Sequence, residues 1–249
     1  MTTTMPRRGL PLIVAVGLFV AILGVLAEML SGFGYRSNAW DLGAAFNILK
    51  YGSYVAAAGG VLSLLAALAT RPGTGRRGFG MSLLGAVLGI VGFGTVARWY
   101  QTAVKVPPIH DISTDLTNPP EFVAVLPIRA KAPNSAVWDT STAAKQRSGY
   151  PDVQPVTLPV PPGAAFHVAL AAARDMGWAI VASDSAAGRI EATATTTWFG
   201  FKDDVVVRVG PDPKGSRIDV RSESRVGGSD VGTNAARIKA YARRLTARV

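Results

Sequence analysis

The sequence predicts a two-part fold: a multi-pass segment of three transmembrane helices, residues 1–105, then a soluble α+β domain, residues 106–249, with an antiparallel sheet and helices packed on one face. Three observations carry this. Apolar stretches at residues 10–30, 46–69 and 79–97 each supply about the twenty residues that a hydrocarbon core of roughly 30 Å requires of a helix. Near Val106 the composition turns polar, and what remains is long enough for one domain with its own core. Within that remainder the order strand, helix, four strands, helix favours an antiparallel sheet covered on one side.

Charge sets the expected topology of the spans. Arg7 and Arg8 precede the first, and Arg71, Arg76 and Arg77 fill the loop between the second and third, whereas the intervening loop carries only Arg36, offset by Asp41. The positive-inside rule then puts the N-terminus and the second loop in the cytoplasm, and three crossings leave the C-terminal domain on the opposite side of the membrane. Phe33, Tyr35, Trp40, Trp99 and Tyr100 agree as interfacial aromatics at the outer end, while Arg98 and Lys105 argue mildly the other way. Arg7-Arg8 superficially resembles a twin-arginine export signal, but Pro11 and the long span lack that signal's flanks, and no small-residue cleavage site follows. An anchor that is retained is the plainer reading.

Gly85 and Gly89 make a GxxxG step, followed by Gly92 and Gly94, and residues 56–60 are all small. Small residues let helix backbones approach in lipid, so a compact bundle is expected, with self-association through the same face as a further option. Glu28 and Lys50 lie near the outward ends of the first two spans, placed either to meet across the bundle or to snorkel to the interface.

In the second part, residues 106–127 read as an extended arm bounded by prolines, and a polar stretch runs on to Tyr150-Pro151-Asp152 with one short helix near Thr140. A strand at 156–160 is broken by Pro161-Pro162-Gly163, which opens a helix over 164–176 with Phe166, Ala169, Leu170 and Ala173 at helical spacing and Gly177 closing it. Strands follow at 178–183, 189–198, 205–209 and 216–225, the last two joined by the turn Pro211-Asp212-Pro213-Lys214-Gly215. A final helix over 233–248 buries Ile238, Tyr241 and Leu245 and turns Arg237, Arg244 and Arg248 elsewhere.

The formal charge of +10 is concentrated in residues 1–105, which hold +7 of it, so it is membrane-flanking charge and not a nucleic-acid footprint. There is no cysteine, which excludes disulfides, thiolate metal sites and a cysteine nucleophile. The two histidines, His110 and His167, form no ligand spacing, and no metal or cofactor is expected. His110-Asp111 with Ser113 holds the letters of a catalytic triad, but residues so close along an extended arm cannot form its relay. His167 reads as a core-edge residue.

Alternation in 216–225 puts Ile218 and Val220 on one face and Arg217, Asp219, Arg221, Glu223 and Arg225 on the other. Asp204 and Arg208 share a face of the preceding strand, and Arg189 and Glu191 can join them. This is either the solvated side of a half-buried sheet or a platform that grips an anionic headgroup or glycan through arginine forks. The glycine-rich loop 225–234 matches no phosphate-binding fingerprint, and Ser229, Asp230 and Thr233 read as helix caps.

Four segments, residues 107–122 (PPIHDISTDLTNPPEF), Tyr150-Pro151-Asp152, 189–208 (RIEATATTTWFGFKDDVVVR) and 215–238 (GSRIDVRSESRVGGSDVGTNAARI), together resemble a bacterial and plastid family catalogued as domain of unknown function 1499. The resemblance implies an envelope or membrane-attached protein and brings no catalytic residue with it. Any site it implies lies where the motifs converge, on Asp111, Asp115, Asp203, Asp204, Arg208, Arg221, Arg225, Asp230 and Asn234. The same groups also read as a network tying the arm to the sheet.

The leading expectation is a non-enzymatic membrane protein that holds a soluble module outside the cytoplasmic membrane for a binding or organising role in the envelope. Its partners would be the lipid bilayer and a membrane or envelope protein, with no nucleic acid. One alternative is a tethered enzyme acting on a lipid or cell-wall substrate through the Asp/Arg cluster, which demands a deep pocket at Asp203 or Asp204 beside Arg221. Another is an accessory subunit of a membrane complex.

Overall fold

The computed structural model describes residues 11–249, so the expectations for Arg7, Arg8 and Leu10 fall outside the described residues. The chain forms two compact units, Met1–Gln101 with Trp198–Gly200, and Thr102–Thr197 with Phe201–Val249.

The first unit holds α1 (Leu12–Arg36), α2 (Leu42–Ala69) and most of α3 (Phe79–Lys105), all three long and apolar enough to cross a membrane. Asp41 starts α2 by accepting a hydrogen bond from the Ala44 amide at 2.8 Å. Contact between α1 and α2 is set by glycine: a Cβ on Gly59 would stand 2.2 Å from the Ala21 nitrogen. Gly89 meets Gly60 across the other helix pair, so the small-residue stripe packs as expected, except that Gly94 faces nothing within 4 Å.

Glu28 and Lys50 do not meet. Glu28 is buried with its carboxylate against Gly92 of α3, whereas Lys50 is exposed on α2. Glu28 turns toward Gly92 of α3, while Lys50 lines the space between α2 and α3 near Phe93 and Ala97, an arrangement that spacing along the sequence does not reveal.

The second unit is a six-stranded antiparallel sheet with helices. Its elements are β1 (Asp111–Ser113), α4 (Thr142–Gly149), β2 (Val156–Leu158), α5 (Pro162–Asp175), β3 (Ala179–Asp184), β4 (Arg189–Thr195), β5 (Lys202–Asp212), β6 (Gly215–Ser224) and α6 (Thr233–Thr246). The spatial order is β1-β6-β5-β4-β3, with β2 sharing the outer edge of β6. β1 lies inside the segment read as an arm; three residues beside a proline pair leave no alternation to detect. Gln146 of α4 closes its free edge, donating to the Ser113 carbonyl at 2.6 Å and accepting from the Ser113 amide at 3.0 Å.

α5 and α6 cover one face of the sheet. Ile190, Val205, Val207, Ile218 and Val220 point into that layer with Ala169, Ala173, Ile238, Tyr241 and Leu245. Tyr241 stacks on Trp178 with ring centroids 4.9 Å apart, and its hydroxyl donates to the Ala169 carbonyl at 2.8 Å. The centre of the opposite face is not solvated, which corrects the half-buried-sheet reading; only its rim, with Arg189, Arg208 and Arg217, reaches solvent. Glu191, Asp204, Arg221 and Glu223 there are at most 1% exposed, beneath an irregular layer formed by the rest of the arm. Charged alternation looks the same whether water or a polar lid covers it, and this lid has no periodicity of its own.

Candidate functional site

Strand register assembles the charges. Asp204 stands directly opposite Glu223, Val206 opposite Arg221, and Arg208 opposite Asp219, while Glu191 and Thr193 of β4 face Val206 and Asp204. Two carboxylates opposed in register repel. Arg129, from a single 3-10 turn at Pro127–Arg129, reaches between them: its Nη1 lies 2.9 Å from Glu223 Oε2 and 3.6 Å from Asp204 Oδ2. Arg225 closes on Asp204 with bonds of 2.8 and 2.7 Å, and Thr193 donates to the same carboxylate at 2.8 Å.

Arg221 forks onto Asp111 of β1 at 3.0 and 2.7 Å and donates at 2.8 Å to the carbonyl of Ala136, in the polar stretch that continues the arm. The Phe122 and Trp138 rings lie 4.8 and 5.4 Å from its guanidinium carbon. Glu191 binds the arm by its backbone, accepting the Val123 and Val125 amides on one oxygen at 3.0 Å each. A small apolar cluster of Phe122, Val125 and Val206 completes the seal.

Three guanidiniums (Arg129, Arg221, Arg225) thus meet three carboxyl groups (Asp111, Asp204, Glu223) in a buried network. Burial foremost, and then the nearby Asp111 charge, push Glu223 up to about 7 while Arg129 and Arg221 pull it back. Burial also raises Asp111 despite its fork from Arg221.

The other predicted site residues divide between two places. At the rim of the same face, Asp115 and Asp219 each pair with both Arg208 and Arg217 at 2.9–3.2 Å. Against the desolvation of Asp115, the amides of Asn118 and Thr117 and these two arginines hold its carboxyl below the usual range. On the helix face, Asp203 pairs with Arg237, which therefore does not point away as its helical phase suggested. Asn234 accepts from the Ser222 hydroxyl at 2.7 Å and donates to the His110 carbonyl at 2.9 Å. The N-cap of α6 is Gly232 and not Ser229, Asp230 or Thr233, which corrects the capping reading; Asp230, two residues earlier, still anchors the start of the helix by taking the Asn234 and Gly232 amides at 2.7 and 2.8 Å.

The sheet therefore separates Asp203, Asn234 and Arg237 from Asp204, Arg221 and Arg225. Asp111 faces Arg221 and the Ser113 hydroxyl bonds the Asp115 carbonyl, so His110, Asp111 and Ser113 form no relay. Among the described residues no group of three histidines or acids is arranged to hold a metal ion. Arg129 escaped the sequence reading, its only signal being a lone cation after the apolar run 122–128. Asn134, which bonds the Ser224 and Gly227 carbonyls at 2.9 Å, left no signal.

Beside the network, a cavity of about 360 Å³ opens between the arm at Asn118–Glu121 and strands β4 and β5, with Arg189 and Arg208 in its wall. These arginines are cross-strand neighbours in register. Arg189 pairs with Glu191 through Nε at 3.2 Å, and Arg208 engages Asp115, Asp219 and the Asn118 carbonyl through one terminal nitrogen, so each guanidinium keeps N–H groups that these contacts do not use.

Residues 111–245 match a family described as protein of unknown function (DUF1499). No curated protein and no solved structure matches the chain.

Proposed function

We propose, from the premise that the chain belongs to the DUF1499 family of unknown function, that it is a non-catalytic membrane protein whose α+β module binds an anionic component of the cell envelope. The observation that carries this reading is the sealing of the Asp/Arg cluster. Asp203, Asp204 and Arg221 are at most 2% exposed and already paired, Asp203 on the helix face, and the cavity beside the other two has Arg189 and Arg208 in its wall and none of those three groups. A general acid, base or nucleophile has to reach its substrate, so these carboxylates serve the fold. The groups left to meet a ligand are Arg189 and Arg208, whose forks suit a carboxylate or phosphate of a glycan or headgroup, with Glu121 at the rim setting a limit on net charge.

In this reading the N-terminus is cytoplasmic and the module lies on the far side of a bacterial inner membrane. A reporter fused to the C-terminus should be active only outside the cytoplasm. Cells deleted for the gene should lose detergent and osmotic tolerance, regained with the wild-type chain but not with R189A/R208A at equal abundance. Unchanged tolerance on deletion, or full rescue by the double variant, would overturn the proposal.

A further inference from the structure

Within the first unit, α2 and α3 leave a cavity of about 510 Å³ between them. Leu49, Phe93, Val96 and Ala97 make its apolar wall, and Lys50 and Tyr54 stand at its mouth. Phe46 and Trp99 close one end with ring centroids 6.1 Å apart.

The depth of Lys50 is informative. It lies eight residues into a helix of 28, hence about 12 Å along an axis of roughly 42 Å at 1.5 Å per residue. A hydrocarbon core of about 30 Å centred on such a helix leaves roughly 6 Å projecting at each end. Lys50 then departs from the backbone about 6 Å inside the hydrocarbon edge, a distance its side chain spans by snorkelling. Its ammonium ends at headgroup level beside the aromatic belt of Trp99 and Tyr100.

At headgroup level that ammonium is placed to meet an anionic lipid. Glu28, the acid that sequence spacing offers, is turned against Gly92, and the described contact of the Lys50 ammonium is the Tyr51 ring at 5.5 Å. We infer that the groove between α2 and α3 holds one anionic phospholipid, its phosphate on Lys50 and an acyl chain along Leu49, Phe93 and Ala97. The apolar wall suits the chain, and the single cation at the mouth suits a headgroup with net negative charge over a zwitterionic one, whose own ammonium competes for the phosphate. The inference rests on the helices crossing a bilayer and is independent of the Arg189–Arg208 cavity.

The test is native mass spectrometry of the full chain released from nanodiscs of phosphatidylglycerol or phosphatidylcholine with identical acyl chains, with helicity checked by circular dichroism. The wild-type chain should retain one phosphatidylglycerol roughly fivefold more than phosphatidylcholine, the preference expected of one basic residue near the surface. K50Q should abolish that preference and K50R keep it. A97F, which fills the groove without touching charge, should lose the retained lipid, and R71Q, at the other end of α2, should keep it. Equal retention of the two lipids by the wild type, an unchanged preference in K50Q, or an unaffected A97F would overturn the inference.

Discussion

Replacing Arg221 by methionine removes the most connected cation of the arm-facing layer while keeping much of its volume. The guanidinium holds Asp111 by a fork and the Ala136 carbonyl by a further bond, and it lies against two aromatic rings. Its loss leaves Asp111, 5% exposed, as an uncompensated buried carboxylate, a defect that costs about 3–5 kcal/mol. Because the lost contacts join the arm to β1 and β6, the cost should fall on local opening of the arm. Hydrogen exchange at the Val123 and Val125 amides, which donate to Glu191, reads that opening directly in the intact chain. At about 1.36 kcal/mol per decade, protection should drop by roughly a hundredfold to a few thousandfold. The double variant D111N/R221M, with no stranded charge, should recover most of the loss. Protection reduced less than about threefold in R221M, or a double variant as weak as the sum of the singles, would refute the claim that paired charge holds the arm.

Three further outcomes follow from the same contacts. Glu223 sits near 7 in the fold against an ordinary value of 4.5; the folded state keeps a proton that the unfolded chain releases, so between these values stability relative to E223Q should fall by about 1.4 kcal/mol per pH unit and level off above pH 7. Denaturant titrations of both chains across pH 4 to 8 check this, and a rising difference would contradict the sign. E191A strands the buried Val125 amide at roughly 1–3 kcal/mol and removes the acceptor of the partly buried Val123 amide, and should speed exchange at both, with E191Q restoring part because its amide oxygen still accepts. G59L forces a side chain into the α1–α2 contact, where even a Cβ would sit 2.2 Å from the Ala21 nitrogen, and should lower the thermal midpoint in detergent; an unchanged midpoint would mean the two backbones do not approach as described.

The three long helices, α5, α6 and the strands β2 to β6 were legible because each has its own period or punctuation. Phe166, Ala169 and Ala173 recur at helical spacing and are buried; Ile218 and Val220 alternate and are buried. β5 was read short because Asp203 and Asp204 break the apolar pattern, and both turn out to be strand residues paired on opposite faces, one with Arg237 and the other with Arg225. The arm was illegible for a different reason. It has one three-residue strand and one 3-10 turn, and its hold on the sheet comes from contacts such as Arg129 with Glu223 across 94 residues, which leave no local trace. The gathering of Asp111, Asp204, Arg221 and Arg225 was foreseeable from alternation and from the family motifs, whereas its enclosure was not.

Enclosure changes what the motifs mean. Beyond Ile109 and Ile112, which are buried in the main core, the arm has few large apolar residues, and the cluster beneath its remainder is Phe122 and Val125 against Val206. Its register must come from directed bonds: two amides on Glu191, a fork between Arg221 and Asp111, Arg129 bridging two acids that would otherwise repel. Directional, mutually neutralising pairs of this kind specify a single arrangement even where their net contribution to stability is modest. The aspartates and arginines that make the sequence look catalytic are therefore consumed by one another. Arg189 and Arg208 differ from them in that each is only partly buried, keeps N–H groups beyond those its acidic partners use, and lines a cavity. Recognition by this module should accordingly track those two side chains, and substitutions in the sealed network should affect it only as far as they loosen the arm that forms the cavity's other wall.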